Sequence, residues 1–200
     1  LIRLVNKSKV LEKVGKNNIV ADFGCGKLRN FQLLKQFAKE LFLVDTKEQF
    51  QRNHTEKGKP FSFNEFLENN SNGVTSILVD NVQFENYTKY FDLIFSIAVA
   101  DVVPLDYFKE IIKVTFNNLK VNGFFILVVP RNDSSILRRC NKNNSYKNGY
   151  IFKRGKINTY IRNYKDKKPL FEEIITKGFT IEEDLSIYNQ ICTIFRKNVP

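Results

Sequence analysis

Asp22-Phe23-Gly24-Cys25-Gly26 sets one acid and two glycines within five residues, at the end of the short apolar run that starts at Asn18. Two glycines in three positions let a backbone take positive φ and approach a ligand with no Cβ in the way. A helix expected from near Leu28 would aim unpaired N–H groups and the positive end of its dipole at the same point. Asp22, on the lip of the strand, is read as accessible rather than core. A second acid, Asp45, closes the run Leu41–Val44 about 20 residues further on, where a carboxylate can accept hydrogen bonds from ribose hydroxyls. The chemistry expected is the binding of a nucleotide-type ligand at the carboxyl end of a parallel strand, where open α/β sheets hold their ligands.

Two common nucleotide loops do not fit. Arg29 stands where G-x-G-x-x-G needs its third glycine, which speaks against a dinucleotide pyrophosphate and leaves an NAD-dependent oxidoreductase poorly supported. Gly26-Lys27 lacks the four residues that a P-loop places between its first glycine and Gly-Lys. The segment resembles instead the first motif, often D-x-G-x-G, of the class I S-adenosylmethionine-dependent methyltransferases. That resemblance implies S-adenosylmethionine as cofactor. Its amino-acid end would lie on Phe23, Gly24, Cys25 and Gly26, with Asp22 fixing the amino group, often through water. Asp45 would take the ribose, Asp80 the adenine amino group and the backbone of Asn81 the ring, with Thr46 and Ser96 completing the set. At the family's fourth motif this chain reads Ser96-Ile97-Ala98-Val99-Ala100-Asp101, without the Asn/Asp-Pro-Pro-aromatic sequence of amino-methylating DNA enzymes. Asp101 is then the one acid at the expected reaction centre, with capping of the next helix as its alternative role.

The elements that must carry these residues follow from periodicity. Leu4, Val5, Leu11 and Val14 suit an amphipathic helix over residues 1–16, which the resemblance would let help cover the cofactor. Phe31, Leu34, Phe37, Ala38 and Leu41 recur at helical spacing after the glycine turn. Residues 47–74 are polar, and His54, the only histidine, is read there as a solvated side chain. Strands are expected at Thr75–Val79, at the buried run Tyr90–Ala98 and at Gly123–Val129, the last two separated by a helix that opens at Pro104 and stops at Asn122-Gly123. A helix over Leu170–Lys177 and two strands, Phe179–Ile187 and Gln190–Arg196, end the chain. The fold class expected is α/β: a three-layer Rossmann-like sheet, mostly parallel with an antiparallel C-terminal hairpin strand and helices on both faces. Residues 1–200 are expected to form one methyltransferase domain.

The net charge of +11 is unevenly placed. Residues 1–130 hold 17 Lys and Arg against 14 Asp and Glu, residues 131–168 hold 12 against 2, and residues 169–200 hold 3 against 5. Within 131–168 the cations alternate with Tyr146, Tyr150, Phe152, Tyr160 and Tyr164, and cations for phosphates with rings for bases are what a nucleic-acid surface requires. This segment is expected to open over the transfer site, with Arg131, Asn132, Arg138, Arg139, Tyr146, Tyr150, Lys153 and Arg154 meeting the acceptor and Asp133 joining Asp101 in orienting or deprotonating it. RNA, DNA or another polyanion is the partner expected. A small-molecule methyltransferase with a basic lid, and a silent cofactor-binding or partner-binding subunit, are the alternatives. Cys25, Cys140 and Cys192 show no metal-ligand spacing and read as reduced thiols of an intracellular, cytoplasmic protein, the nucleus not being excluded. No apolar run approaches the roughly 20 residues needed to cross a bilayer, so no membrane partner is expected. The chain begins at Leu1 rather than Met, which leaves room for a preceding segment.

Overall fold

The computed structural model describes residues 2–52, 54–56, 59–130, 145–146, 149–154, 157–162, 168–187 and 190–199. The first half of the chain runs α1 (Ile2–Lys7), α2 (Lys9–Glu12), β1 (Asn18–Phe23), α3 (Phe31–Leu34), β2 (Ala38–Asp45), α4 (Lys47–Gln51), β3 (His54–Glu56), β4 (Lys59–Phe61), α5 (Phe63–Asn70), β5 (Thr75–Asp80) and α6 (Asn81–Phe84). The second half continues with β6 (Phe91–Ile97), α7 (Leu105–Asn118), β7 (Leu119–Pro130), β8 (Ser145–Tyr146), β9 (Gly149–Arg154), β10 (Ile157–Arg162), α8 (Lys168–Thr176), β11 (Phe179–Ile187) and β12 (Gln190–Lys197).

Seven strands form one sheet in the order β11-β12-β7-β6-β1-β2-β5. β5, β2, β1, β6 and β7 run parallel, and β12 lies antiparallel between β7 and β11. The expected mixed sheet with a closing antiparallel hairpin is therefore present. Connections leave β1 toward β2 and β5 on one side while β6 and β7 lie on the other, so the order reverses between β1 and β6. That reversal opens a crevice at the strands' carboxyl ends.

Alternation along the strands sends side chains to two cores. Ala21, Phe23, Phe42 and Val44 join Phe84 of α6, Phe108 and Ile112 of α7 and Leu170 and Ile174 of α8 on one face. Val20, Leu41, Leu43 and Phe95 meet Leu4, Leu11, Phe31, Leu34 and Phe63 of α1, α2, α3 and α5 on the other. Burying a Leu or Phe side chain contributes roughly 1.5–3 kcal/mol, and the central strands, covered on both faces, concentrate that contribution beneath the crevice.

Several local expectations are corrected. The helix expected over residues 1–16 is two helices broken at Ser8, whose Oγ caps α2 by accepting from the Leu11 N–H at 3.0 Å and donates to Glu183 of β11 at 2.5 Å. The long helix expected after the glycine turn is one turn, α3, because the chain has already entered β2 at Ala38. α7 stops at Asn118 rather than Asn122-Gly123, and β7 begins at Leu119 and bulges through Asn122, which has φ +66°. The last helix and both terminal strands lie where periodicity placed them.

Candidate cofactor and acceptor site

The glycine turn is held by groups that β1 and β2 present at their carboxyl ends. The Gly24 and Cys25 N–H groups both donate to the Val44 carbonyl, at 2.8 and 3.0 Å. The Gly26 N–H donates to Asp45 Oδ2 at 2.9 Å, and Asp45 Oδ1 accepts from the Thr46 N–H at 2.8 Å. Thr46 caps α4 through the Gln49 N–H, and Gln49 Nε2 returns to the Gly26 carbonyl at 3.1 Å. His54 Nε2 lies 2.8 Å from the Gln49 carbonyl, with its ring edge-on to Phe61 and Phe63. His54 is therefore buried and positioning, not solvated as its polar neighbours suggested.

This bonding removes the anion site expected from a helix N-terminus. α3 starts five residues beyond Gly26, and the three N–H groups of the turn are already committed within the protein. The local charge is negative. Asp22 is only 1% exposed, which corrects its reading as an accessible lip residue, and neither carboxylate oxygen has a hydrogen-bond partner. Burial first, and the Asp45 charge second, push its pKa up to about 7. A buried carboxyl without partners costs stability, and a cationic group brought to the turn would relieve that cost. Cys25 is buried between the same acids, and burial and both carboxylates push its thiol far up, so it carries no thiolate chemistry.

The two glycines are not equivalent. Gly26, with φ +56°, has nothing nearer than 3.9 Å to a would-be Cβ and leaves the approach open. Gly24, with φ +76°, has that space filled by Val99, whose Cγ2 would lie 2.3 Å from an added Cβ. Val99 follows Ala98, a non-glycine residue at φ +56°, in the loop after β6.

In front of the turn is a cavity of about 450 Å³, lined by Phe23, Gly24, Asp45 and Thr46 on one side and by Asn81, Phe84 and Glu85 on a second. Its remaining walls come from Ala98 and Val99 and from α7 with the loop before it, including Tyr107 and Glu110. The Phe23 and Phe84 rings, 5.5 Å apart, make its apolar floor, and among the described residues no Lys or Arg lines it. Asn81 lines the wall, and its Oδ1 is buried without a partner among the described residues. Asp80 does not line the cavity as expected. Its Oδ1 caps α6 through the Gln83 N–H at 2.9 Å in a reciprocal capping box, so the neighbouring Asn81 is the polar group on the wall. Ser96, expected in the cofactor set, is wholly buried with its Oγ unpartnered, and neither it nor Asp22 lines the cavity. Sequence reasoning missed Gln49, although Thr46-x-x-Gln49 is a helix-start spacing that could have flagged it. It also missed Val99, for which the sequence carries no signal.

Asp101 lies in the loop between β6 and α7, 5% exposed, with Oδ1 unpartnered and a pKa raised by burial to about 6. It does not cap α7, whose cap position is Pro104 with no side-chain bond. Its carbonyl accepts from the Arg162 N–H at 2.6 Å, fastening the end of β10 to this loop. β8, β9 and β10 form a separate three-stranded antiparallel sheet, joined to the loop after β6 through this Arg162 bond. Tyr146 is 46% exposed and meets Tyr160 edge-on, and Tyr150 is half-buried. Lys153 and Arg154 occupy β9 opposite Asn158 and Ile157. Arg131, Asn132, Asp133, Arg138 and Arg139 lie outside the described residues.

Solved structures share this arrangement almost end to end. A SAM-dependent methyltransferase from Methanosarcina mazei superposes with a TM-score of 0.68 at 13% identity, over 96% of this chain and 99% of that one. The chain has the class I S-adenosylmethionine-dependent methyltransferase fold. A second methyltransferase of this fold is the 1,6-didemethyltoxoflavin-N1-methyltransferase of Burkholderia thailandensis, solved with 1,6-didemethyltoxoflavin and S-adenosylhomocysteine. It superposes with a TM-score of 0.62 at 14% identity, over 94% of this chain and 74% of that one. In sequence, 151 residues are 25% identical to Escherichia coli YmfD, an uncharacterized protein, covering 75% of this chain and 67% of that protein. No family model matches the sequence. Among the described residues no cluster of His, Cys, Asp and Glu could hold a metal ion, and no helix is long and apolar enough to cross a membrane.

Proposed function

We propose that the chain is an S-adenosylmethionine-dependent methyltransferase acting on a nucleic-acid acceptor, RNA or DNA. One observation carries the cofactor reading: a glycine turn whose N–H groups are spent, beside the unpartnered, buried carboxyl of Asp22 and the Asp45 carboxylate. Such a site suits a cation, and a pyrophosphate would find repulsion and the Gly24, Cys25 and Gly26 N–H groups already engaged. When bound, the cofactor supplies an electrophilic methyl group on a sulfonium. The residues present would fit it, with Asp45 at its ribose, Asn81 at its adenine, Phe23 and Phe84 at its apolar surface, and the buried Asp22 carboxyl, behind the turn rather than on the cavity wall, adding negative charge toward its ammonium group. Positioning an acceptor lone pair supplies much of the rate, since effective molarities can reach about 10⁵ M or more. Asp101, ionised above about pH 6, holds or removes the acceptor's proton.

The nucleic-acid acceptor rests on the excess of 12 cations over 2 acids in residues 131–168 and on the Arg162 link to the Asp101 loop. A small-molecule acceptor is the second reading, favoured by apolar cavity walls that carry Asp45, Glu85 and Glu110 and, among the described residues, no cation. Incubation with labelled S-adenosylmethionine and fractionated cell extract separates the two readings. Label in nucleic acid, with binding that weakens steeply as salt rises, supports the first. Label in small molecules alone replaces it with the second, and cofactor binding without labelled product marks a silent subunit.

A further inference from the structure

At the opposite end of the sheet is a second hollow, of about 420 Å³, lined by Lys16, Asn17, Gln32, Lys35, Gln36, Ala38, Lys39 and the turn Asn72–Val74. These residues stand at the amino ends of β1, β2 and β5 and along α3 and its end, on the side of the sheet a strand's length or roughly 20 Å from the glycine turn. Among the described residues no Asp or Glu lines it, so three lysines and the amides Asn17, Gln32, Gln36 and Asn72 border one concavity without a counter-charge. Two of the donors are held in place. Asn70 accepts from Lys35 Nζ at 2.6 Å through its carbonyl and from Gln32 Nε2 at 2.9 Å through Oδ1, while its own Nδ2 donates to the Phe66 carbonyl at 2.7 Å. Lys16 and Lys39 are exposed and form no ion pair among the described residues. Like charges gathered in a concave site raise the local potential and concentrate anions there.

We infer that this hollow is an anion site for a ligand with two or more closely spaced phosphoryl groups. A single monoanion would leave most of the lysine charge unanswered, whereas consecutive phosphates offer both the charge and the acceptor oxygens that ammonium and amide donors require. The same chemistry is found in a nucleic-acid backbone and in a free polyphosphate. The site is independent of the cofactor reading, since no residue is shared between the two cavities.

The test compares wild type, Lys16→Gln/Lys39→Gln and the control Lys7→Gln/Lys177→Gln, which removes the same charge from exposed lysines elsewhere. Lys35 is left intact because it anchors Asn70. Two probes are titrated: inorganic tripolyphosphate by calorimetry, and a labelled single-stranded oligonucleotide without terminal phosphates by anisotropy between about 50 and 200 mM salt. For a free polyphosphate, the Lys16/Lys39 variant binds tripolyphosphate at least tenfold more weakly. For a backbone, its log–log salt slope falls by about 0.7 for each lysine removed, the single-strand value. The control changes neither in the supporting result. An equal loss in the control, an unchanged Lys16/Lys39 variant, or no binding of either probe by wild type overturns the inference. S-adenosylmethionine titrated into the same variant reports separately on the cofactor site and on folding.

Discussion

Replacing Asp22 by Asn should stabilise the free protein while weakening its hold on the cofactor, two effects that an ordinary core mutation does not combine. The carboxyl is wholly buried and unpartnered, and its pKa rises from 3.8 to about 7 on folding. The sign follows from linkage. Below about pH 4 both folded and unfolded chains hold the proton and the group is neutral in its effect. Between about 4 and 7 the unfolded chain loses its proton first, so stability falls as pH rises, and above about 7 the penalty is complete. Three pKa units correspond to about 4 kcal/mol, and because Asn still buries polar atoms, we expect about 2–4 kcal/mol of stabilisation at pH 8. For a chain of this size that is roughly 5–15 °C in Tm. Thermal unfolding of the Asp22→Asn variant and wild type at pH 4.5 and 8, with cofactor titrations at pH 8, measures both effects. The Tm gain should shrink toward zero at the lower pH, and cofactor affinity at pH 8 should drop by about a hundredfold, the cost of losing one buried charge pairing. A Tm loss at pH 8, or a gain equal at both pH values, would refute the reasoning.

Other substitutions probe the turn and its supports. Gly24→Ala should cost about 2–4 kcal/mol, since its Cβ meets Val99 and its φ is positive, and adding Val99→Ala should recover part of the loss; a double-mutant cycle by chemical denaturation measures the coupling. Asp45→Asn leaves one oxygen where two are used on the Gly26 and Thr46 N–H groups, so amide exchange at Gly26 should quicken and cofactor affinity fall about tenfold. If Asp101 takes the acceptor's proton, kcat/KM should rise about tenfold per pH unit below about pH 6 and level off above it. In that case Asp101→Asn should abolish that dependence, which a pH profile shows. Lys197, buried beneath α7, donates to the Phe116 and Leu119 carbonyls at 2.7 and 2.9 Å; Lys197→Met should lose about 2–3 kcal/mol in a denaturant titration without altering cofactor affinity.

The strands were legible because each parallel strand is an apolar run, and Phe23-Gly24, Asp45 and Asp80 punctuate the carboxyl ends of β1, β2 and β5. The terminal hairpin was legible for the same reason, with a turn between two β-rich runs. The helix after the glycine turn was overread. Phe31, Leu34, Phe37, Ala38 and Leu41 are all buried, but the last two are the entry to β2, whose first residues mimic helical spacing before the run becomes apolar on both faces. The burial of Asp22 and His54 was hidden for a different reason. Charged and polar residues are usually solvated, and only the neighbouring strands and the Phe61–Phe63 rings, brought in by the fold, enclose these two. Asp80 closes β5 as the apolar run indicates, yet an acid in that place can cap the next helix or face a ligand. Its Gln83 partner three residues on was the clue to the first.

Calorimetry of S-adenosylmethionine binding near pH 7, repeated in two buffers of different ionisation heat and set beside NADH, bears most directly on the claim that the acidic turn receives a cationic nucleoside. A saturable 1:1 heat with release of roughly half a proton, as a carboxyl with a pKa of about 7 ionises against the incoming charge, and no heat from NADH, is the result predicted. Heat from NADH with none from S-adenosylmethionine would contradict it.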